Sequence, residues 1–166
     1  MVELRKVDAK NIWEIVKLSV REDQMPFVAS NTVSILEAYV SVTAGQVALP
    51  FGIYEGGLPV GFLMLSYDWR DEEEKPPAVS AGNYCIWRFM IDRHSQGRGL
   101  GRQALAAALD YMESRPCGDA EACWLSYEPE NTVARALYYA AGFRENGEKC
   151  GDETVAVRKF SKNRNV

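Results

Sequence analysis

The sequence predicts a mixed α/β fold, and three observations carry that prediction. Its apolar segments follow one another in the order β-α-α-β-β-β-α-β-α-β-β. The run "NYCIWRFMID" is nearly continuous in apolar residues, as a central strand buried on both faces requires. That strand (84–92), a helix (99–113) and the strand of "EACWLSYE" (121–127) form one βαβ unit, whose two strands must run parallel.

The elements come in order. "ELRKV" is the first strand, after which Asp8 is placed to cap a helix carrying Ile12, Ile15, Val16 and Val20 on one face. A second short helix runs from about Thr32 to Val40, with Val33, Leu36 and Val40 in register. "VALPFGIYEGGLPVGFLMLSY" reads as a hairpin joined at Glu55–Gly56–Gly57. "DWRDEEEK" is a charged loop that ends at Pro76–Pro77. Asn131 caps the last helix, which stops at Gly142, and two strands around Cys150–Gly151–Asp152 close the sheet.

Composition narrows the function classes. The chain has 166 residues, 47% hydrophobic and 25% charged, which suits a single domain with a substantial core. No apolar run approaches the roughly 20 residues a membrane helix needs, and "MVELRKVDAK" has no signal-peptide h-region. The four cysteines, Cys85, Cys117, Cys123 and Cys150, form no CxxC pair and no zinc spacing. They read as reduced thiols in a cytoplasmic protein without a metal site, a Cys117–Cys123 pairing remaining open. A net charge of −4 argues against nucleic acid and fits a cationic small molecule better.

The segment "SQGRGLGRQALAAALDYM" poses a physical puzzle. Glycine disfavours a helix by roughly 1 kcal/mol relative to alanine, yet Gly97, Gly99 and Gly101 open an alanine-rich one. Main-chain N–H groups at a helix start lack intrahelical partners, and the helix dipole favours an anion there. Residues without a β-carbon let a pyrophosphate approach those groups, and Arg98 and Arg102 add positive charge. A P-loop is excluded because no GK[ST] follows, and a Rossmann fingerprint fails at its sixth position, Arg102. The pattern Q/R-x-x-G-x-G/A is met by Gln96, Gly99 and Gly101.

On this loop, the strand before it and "ENTVARALYYAAGF", the chain resembles the GNAT superfamily of N-acetyltransferases over nearly its whole length. Within the superfamily, "FMIDRHSQGRGLG" and "NGEKCGDETVAVRKF" look most like bacterial diamine and spermidine/spermine N-acetyltransferases. The resemblance implies a mostly antiparallel sheet flanked by helices, a homodimer, and acetyl-CoA as donor. It implies that the amides of Gln96, Gly97, Arg98, Gly99, Leu100, Gly101 and Arg102 cradle the CoA diphosphate. It also implies that Phe89, Met90 and Ile91 pair with the pantetheine arm, and that Tyr138 is the general acid for the departing thiolate. Asn131 then has two compatible roles, helix cap and CoA contact, and Arg135 and Tyr138 on the same helix are expected to contact CoA with it. Asn131, Arg135 and Tyr138 share one helix face by spacing, with Val133, Ala136, Leu137 and Ala140 as the apolar face.

The acceptor is less legible. A primary amine of pKa ~10.4 needs about 4–5 kcal/mol to become neutral at pH 7. Acids that bind it as a cation raise its pKa further, so cation binding and proton removal call for different groups. Glu22 and Asp23 after the first helix, Glu128 beyond a strand end, and the cluster Asp68, Asp71, Glu72, Glu73 and Glu74 are the candidates for binding. Trp69, Tyr84 and Trp87 are able to stack on an alkyl ammonium, though core packing is the favoured role for Trp87. His94 reads as a polar turn residue, Cys123 as a core thiol, and Arg158, Lys159, Lys162 and Arg164 as a solvated tail. The acceptor is expected to be a small polyamine or diamine. A peptide or protein N-terminus, an aminoglycoside, and a non-catalytic CoA sensor remain as alternatives.

Overall fold

The computed structural model describes residues 1–71 and 75–161. The expected loop acids Glu72, Glu73 and Glu74, and the basic residues Lys162 and Arg164, lie outside those described residues. The strands are β1 (Val2–Lys6), β2 (Val47–Glu55), β3 (Leu58–Tyr67), β4 (Tyr84–Ile91), β5 (Ala122–Tyr127), β6 (Arg144–Cys150) and β7 (Glu153–Lys159). They form one sheet in the order β1-β2-β3-β4-β5-β7-β6. Every neighbouring pair is antiparallel except β4 and β5, which are parallel as the βαβ unit requires. The β2–β3 hairpin turns on Gly56 and Gly57, both left-handed (φ 56° and 83°), the backbone a two-residue turn of matching twist needs.

The parallel pair is short. β4 and β5 register at Tyr84↔Cys123 and Cys85↔Trp124, and then the strands part. Just beyond that point, the β3–β4 register steps from Leu65↔Ile86 to Met64↔Arg88, leaving Trp87 as an extra residue. Such a bulge bends the strand that carries it, so the sheet is split from Ile86 onward. For this reason β4 is not buried on both faces along its length. Tyr84, Cys85, Ile86 and Met90 are buried, whereas Trp87, Arg88, Phe89 and Ile91 border the split and stay partly open.

Helix α3 (Leu100–Glu113) covers one sheet face, burying Leu100, Ala104, Leu105, Ala108, Leu109 and Met112 against Phe51, Leu63, Ile86 and Leu125. The other face carries α1 (Ile12–Ile15), α2 (Asn31–Thr43) and the aromatic cluster around Trp124. Helix α4 (Thr132–Ala140) follows β5, and its Leu137 and Tyr138 pack against the α3-side core.

Three local expectations are corrected. The first helix is a single turn rather than an element reaching Val20. Asp8 accepts the N–H groups of Lys10 and Asn11 in a tight turn, and Ser19 is pulled out of helical geometry by Asp92 and Arg93. Ile15 and Val20 are buried nonetheless. Helix α2 packs through its small face, Asn31, Ser34 and Ala38, leaving Val33, Leu36 and Val40 exposed. Asn31 donates from Nδ2 to the Ile15 carbonyl at 2.9 Å, which fixes that rotation. Helix α4 likewise exposes Val133, Ala136 and Ala140 and turns Leu137 and Tyr138 inward. Its caps match the sequence: Asn131 Oδ1 accepts from Ala134 N at 3.3 Å, and Gly142 is left-handed at φ 93°.

Candidate active site

A cavity of about 840 Å³ occupies the split between β4 and β5. It runs from the Gln96–Gly101 loop, past β4 and the start of α4, to Trp69, Trp124 and Glu153. Beyond Cys85 the β5-facing edge of β4 has no strand beside it, so its main-chain groups are offered to the cavity.

The loop at one end is built for an anion. Gly97 and Gly99 are left-handed (φ 77° and 75°), with open space where a side chain would begin. Among the described residues, no N–H group from Gln96 to Arg102 reaches a protein acceptor; the helix ladder begins with Gln103 N to Gly99 O at 3.3 Å. A cluster of free amides at a helix start is the arrangement that grips a phosphate. Gly101 is different: a β-carbon there would meet Leu137 Cδ2 at 3.6 Å and Ile91 Cγ1 at 3.7 Å, ordinary contacts, so alanine fits as well.

The loop is tied down by its neighbours. Gln96 donates from Nε2 to Gln24 Oε1 at 2.8 Å and to the Ile91 carbonyl at 3.0 Å. The buried Asp92 carboxylate accepts from Ser19 N and His94 N. His94 is thereby a turn residue. Arg98 turns away to Glu55, with 2.6 Å between Nη2 and Oε2, and Arg102 faces solvent, so their side chains lie outside the cavity wall.

Phe89, Met90, Ile91, Leu100, Asn131 and Tyr138 all border the cavity. Arg135 does not; its Nε pairs with Glu145 Oε1 at 3.0 Å, beside the Tyr127 hydroxyl that donates to the same oxygen. The Tyr138 ring is held between Tyr127 and Phe143, with centroids 5.9 and 6.0 Å away. Its hydroxyl has no hydrogen-bond partner among the described residues. Burial, reinforced by the charges of Glu153 and Glu128, pushes the phenol well above its ordinary pKa, so it remains a proton donor.

The far end combines aromatic walls with acids. Trp69 stacks on Trp124 at 6.2 Å, and Trp87 closes the bulge side. Glu128 borders the cavity, while Glu22 and Asp23 are exposed outside its wall, Asp23 pairing with Arg21. Asp68 holds the loop between β3 and β4, accepting from Gly82 N at 2.8 Å; that bond and Arg70 lower its pKa. The Cys85 and Cys123 thiols are pushed up by burial, which leaves no activated nucleophile there. Glu153, Ser126 and the Arg88–Glu37 pair (2.7 Å) are cavity residues that the sequence did not single out. Ser126 donates to the Glu153 carboxylate across β5 and β7. No helix among the described residues is long and apolar enough to cross a membrane.

A split parallel strand pair, a free-amide loop and a long cleft between them suit a protein that binds an extended, phosphate-bearing ligand along an open strand edge. The chain matches the acetyltransferase (GNAT) family over residues 12–143, and it belongs to that family. It is 31% identical over 164 residues to a "Probable spermine N(1)-acetyltransferase" of Bacillus subtilis subsp. natto (strain BEST195), covering 96% of this chain and 99% of the relative. It is 30% identical, with the same coverage, to a spermine/spermidine N(1)-acetyltransferase of Bacillus subtilis (strain 168). An aminoglycoside acetyltransferase solved in complex with coenzyme A superposes with a TM-score of 0.74 at 20% identity, over 96% of this chain and 95% of that one, a likeness of fold. The protein is an acetyl-CoA-dependent N-acetyltransferase of the GNAT type.

Proposed function

We propose that the chain acetylates a primary amine of a small polyamine or diamine by direct attack on the acetyl thioester, without an acetyl-enzyme. The observation that carries this reading is the single cavity joining the free-amide loop to Glu128 through Tyr138. Acetyl-CoA supplies the activated acetyl group. The amides of residues 96–102 hold its diphosphate, and the open edge of β4 at Phe89–Ile91 aligns its arm and polarises the acetyl carbonyl. Asn131 borders the same wall as a CoA contact. Tyr138, kept protonated by burial, gives its proton to the departing sulfur.

In this reading Glu128 faces the acceptor nitrogen, and the aromatic walls rather than Glu128 hold the cation. Trp69, Trp87 and Trp124 provide aromatic faces for the alkyl chain of a cation. The names of the two Bacillus relatives support a polyamine acceptor. The homodimer and cytoplasmic setting implied by the resemblance belong to the same reading, and light scattering of the purified protein measures the first. Thiol release from acetyl-CoA with spermidine, spermine, short diamines, an aminoglycoside and a peptide tests the acceptor. Turnover highest on the polyamines or diamines is expected; silence across the panel from folded protein would overturn the proposal.

A further inference from the structure

The β5–β7 ladder ends with Ser126↔Val155 and Tyr127↔Thr154, so Glu128, which follows β5, and Glu153, which opens β7, leave the same end of it. Like charges brought together at a strand end are destabilising, yet both carboxyls border the cavity, and Glu153 is among the groups that raise the Glu128 pKa. Glu153 is anchored by the Ser126 hydroxyl. Among the described residues, the cavity wall has two cations: Arg21, which pairs with Asp23, and Arg88, which pairs with Glu37 through Nη2 while its buried Nε has no partner. Two further groups mark this end as built for a ligand. Among the described residues, neither the Tyr138 hydroxyl nor Nε1 of the buried Trp124 has a hydrogen-bond partner.

We propose that Glu128 and Glu153 act as one proton-accepting unit that takes the proton the acceptor ammonium must lose before its nitrogen attacks. The inference rests on the acetyl-transfer reading above. The Glu153 charge disfavours ionisation of Glu128, so Glu128 holds a proton more firmly than a lone glutamate would. Burial, then Glu153 and Glu130, raise the Glu128 pKa, which brings it nearer to that of an amine. The other ionisable groups around the pair are Cys150 on β6, which pairs with Glu153 in the ladder, Tyr138 on α4 and Cys85 on β4, both neutral at pH 7, and Arg88, paired with Glu37 of α2.

The steps balance. The ammonium gives one N–H proton to the carboxylate pair and becomes a neutral amine. Its lone pair forms the N–C bond to the acetyl carbon as the C–S bond breaks. The sulfur takes the Tyr138 proton, and the surplus proton on the new amide nitrogen returns to the Tyr138 oxygen. The carboxyl pair then releases its proton to solvent.

The test is the pH dependence of kcat for the wild type, Glu128→Gln, Glu153→Gln and Ser126→Ala, with CoA affinity and melting temperature measured alongside. The wild type is expected to lose kcat below a pKa above the ordinary carboxylate range. Each glutamine variant should lose about 10²-fold or more in kcat, with that acidic limb displaced and CoA affinity unchanged. Ser126→Ala, which keeps both acids but frees Glu153, should lose less. An acceptor already neutral at the assay pH, such as an acyl hydrazide, should be acetylated by wild type and variants at similar rates. Two results would overturn the inference: a raised KM with kcat and pH limb unchanged, or an equal loss with the neutral acceptor. Wild-type silence on every amine would overturn the acetyl-transfer reading itself, and is told apart by that silence.

Discussion

Replacing Tyr138 by phenylalanine isolates one atom. The ring keeps its neighbours Tyr127 and Phe143 at 5.9 and 6.0 Å, and the oxygen removed has no protein partner among the described residues. No protein hydrogen bond is lost, so stability should stay within about 0.5 kcal/mol of wild type. For a chain of this length that is no more than ~2 °C in Tm. The diphosphate grip lies at the loop, so CoA affinity measured by calorimetry should change less than about threefold, under ~0.7 kcal/mol. The thiolate, by contrast, loses its proton donor. Removing a general acid lowers kcat by about 10²–10⁴-fold, equivalent to roughly 2.7–5.4 kcal/mol of barrier. Thiol release with saturating amine reads that loss directly. Unchanged kcat would remove Tyr138 from the chemistry, and a fall in Tm of more than about 5 °C would recast it as a packing residue.

The loop and the acid pair give two further expectations. Gly99→Ala forces a left-handed residue to carry a β-carbon at φ 75°, costing about 1–2 kcal/mol, and should weaken CoA binding about tenfold or more. Gly101→Ala meets ordinary contacts at 3.6 and 3.7 Å and should fold and bind CoA as wild type does, both variants being read by melting and calorimetry. Glu128 binds its proton more tightly folded than unfolded, so its contribution is fully present below the ordinary glutamate pKa and is lost as pH rises through the raised value. Glu128→Gln should therefore melt above wild type at pH 8, with the difference closing near pH 4.

Where a local pattern had one physical solution, the sequence was legible. Three glycines at a helix start had to mean an unusual backbone, and the βαβ spacing had to give a parallel pair. The same logic failed on α2 and α4, because an apolar stripe says which face is hydrophobic and nothing about which face a neighbour claims. On α2, the Asn31 bond to the Ile15 carbonyl and a close approach of small side chains decided the rotation. Ile15 and Val20 were correctly placed in the core, but the helix expected to carry them was undone by bonds from Asp92 and Arg93, more than seventy residues away. Glu153 carried no local mark. Its proximity to Glu128 exists only through the β5–β7 register, which no short window contains. Trp87 was visible as an aromatic residue, but its bulge, which opens the cavity, depends on the register with β3.

In the proposed mechanism the free amides between Gln96 and Arg102 hold the diphosphate of acetyl-CoA. Amide NMR of the labelled protein, titrated with CoA and separately with pantetheine, which lacks the diphosphate, reads that grip residue by residue. Large shifts are expected at Gly97, Gly99 and Gly101 with CoA, and little change there with pantetheine. Loop amides that stay unmoved at saturating CoA, or that respond equally to both ligands, would contradict it.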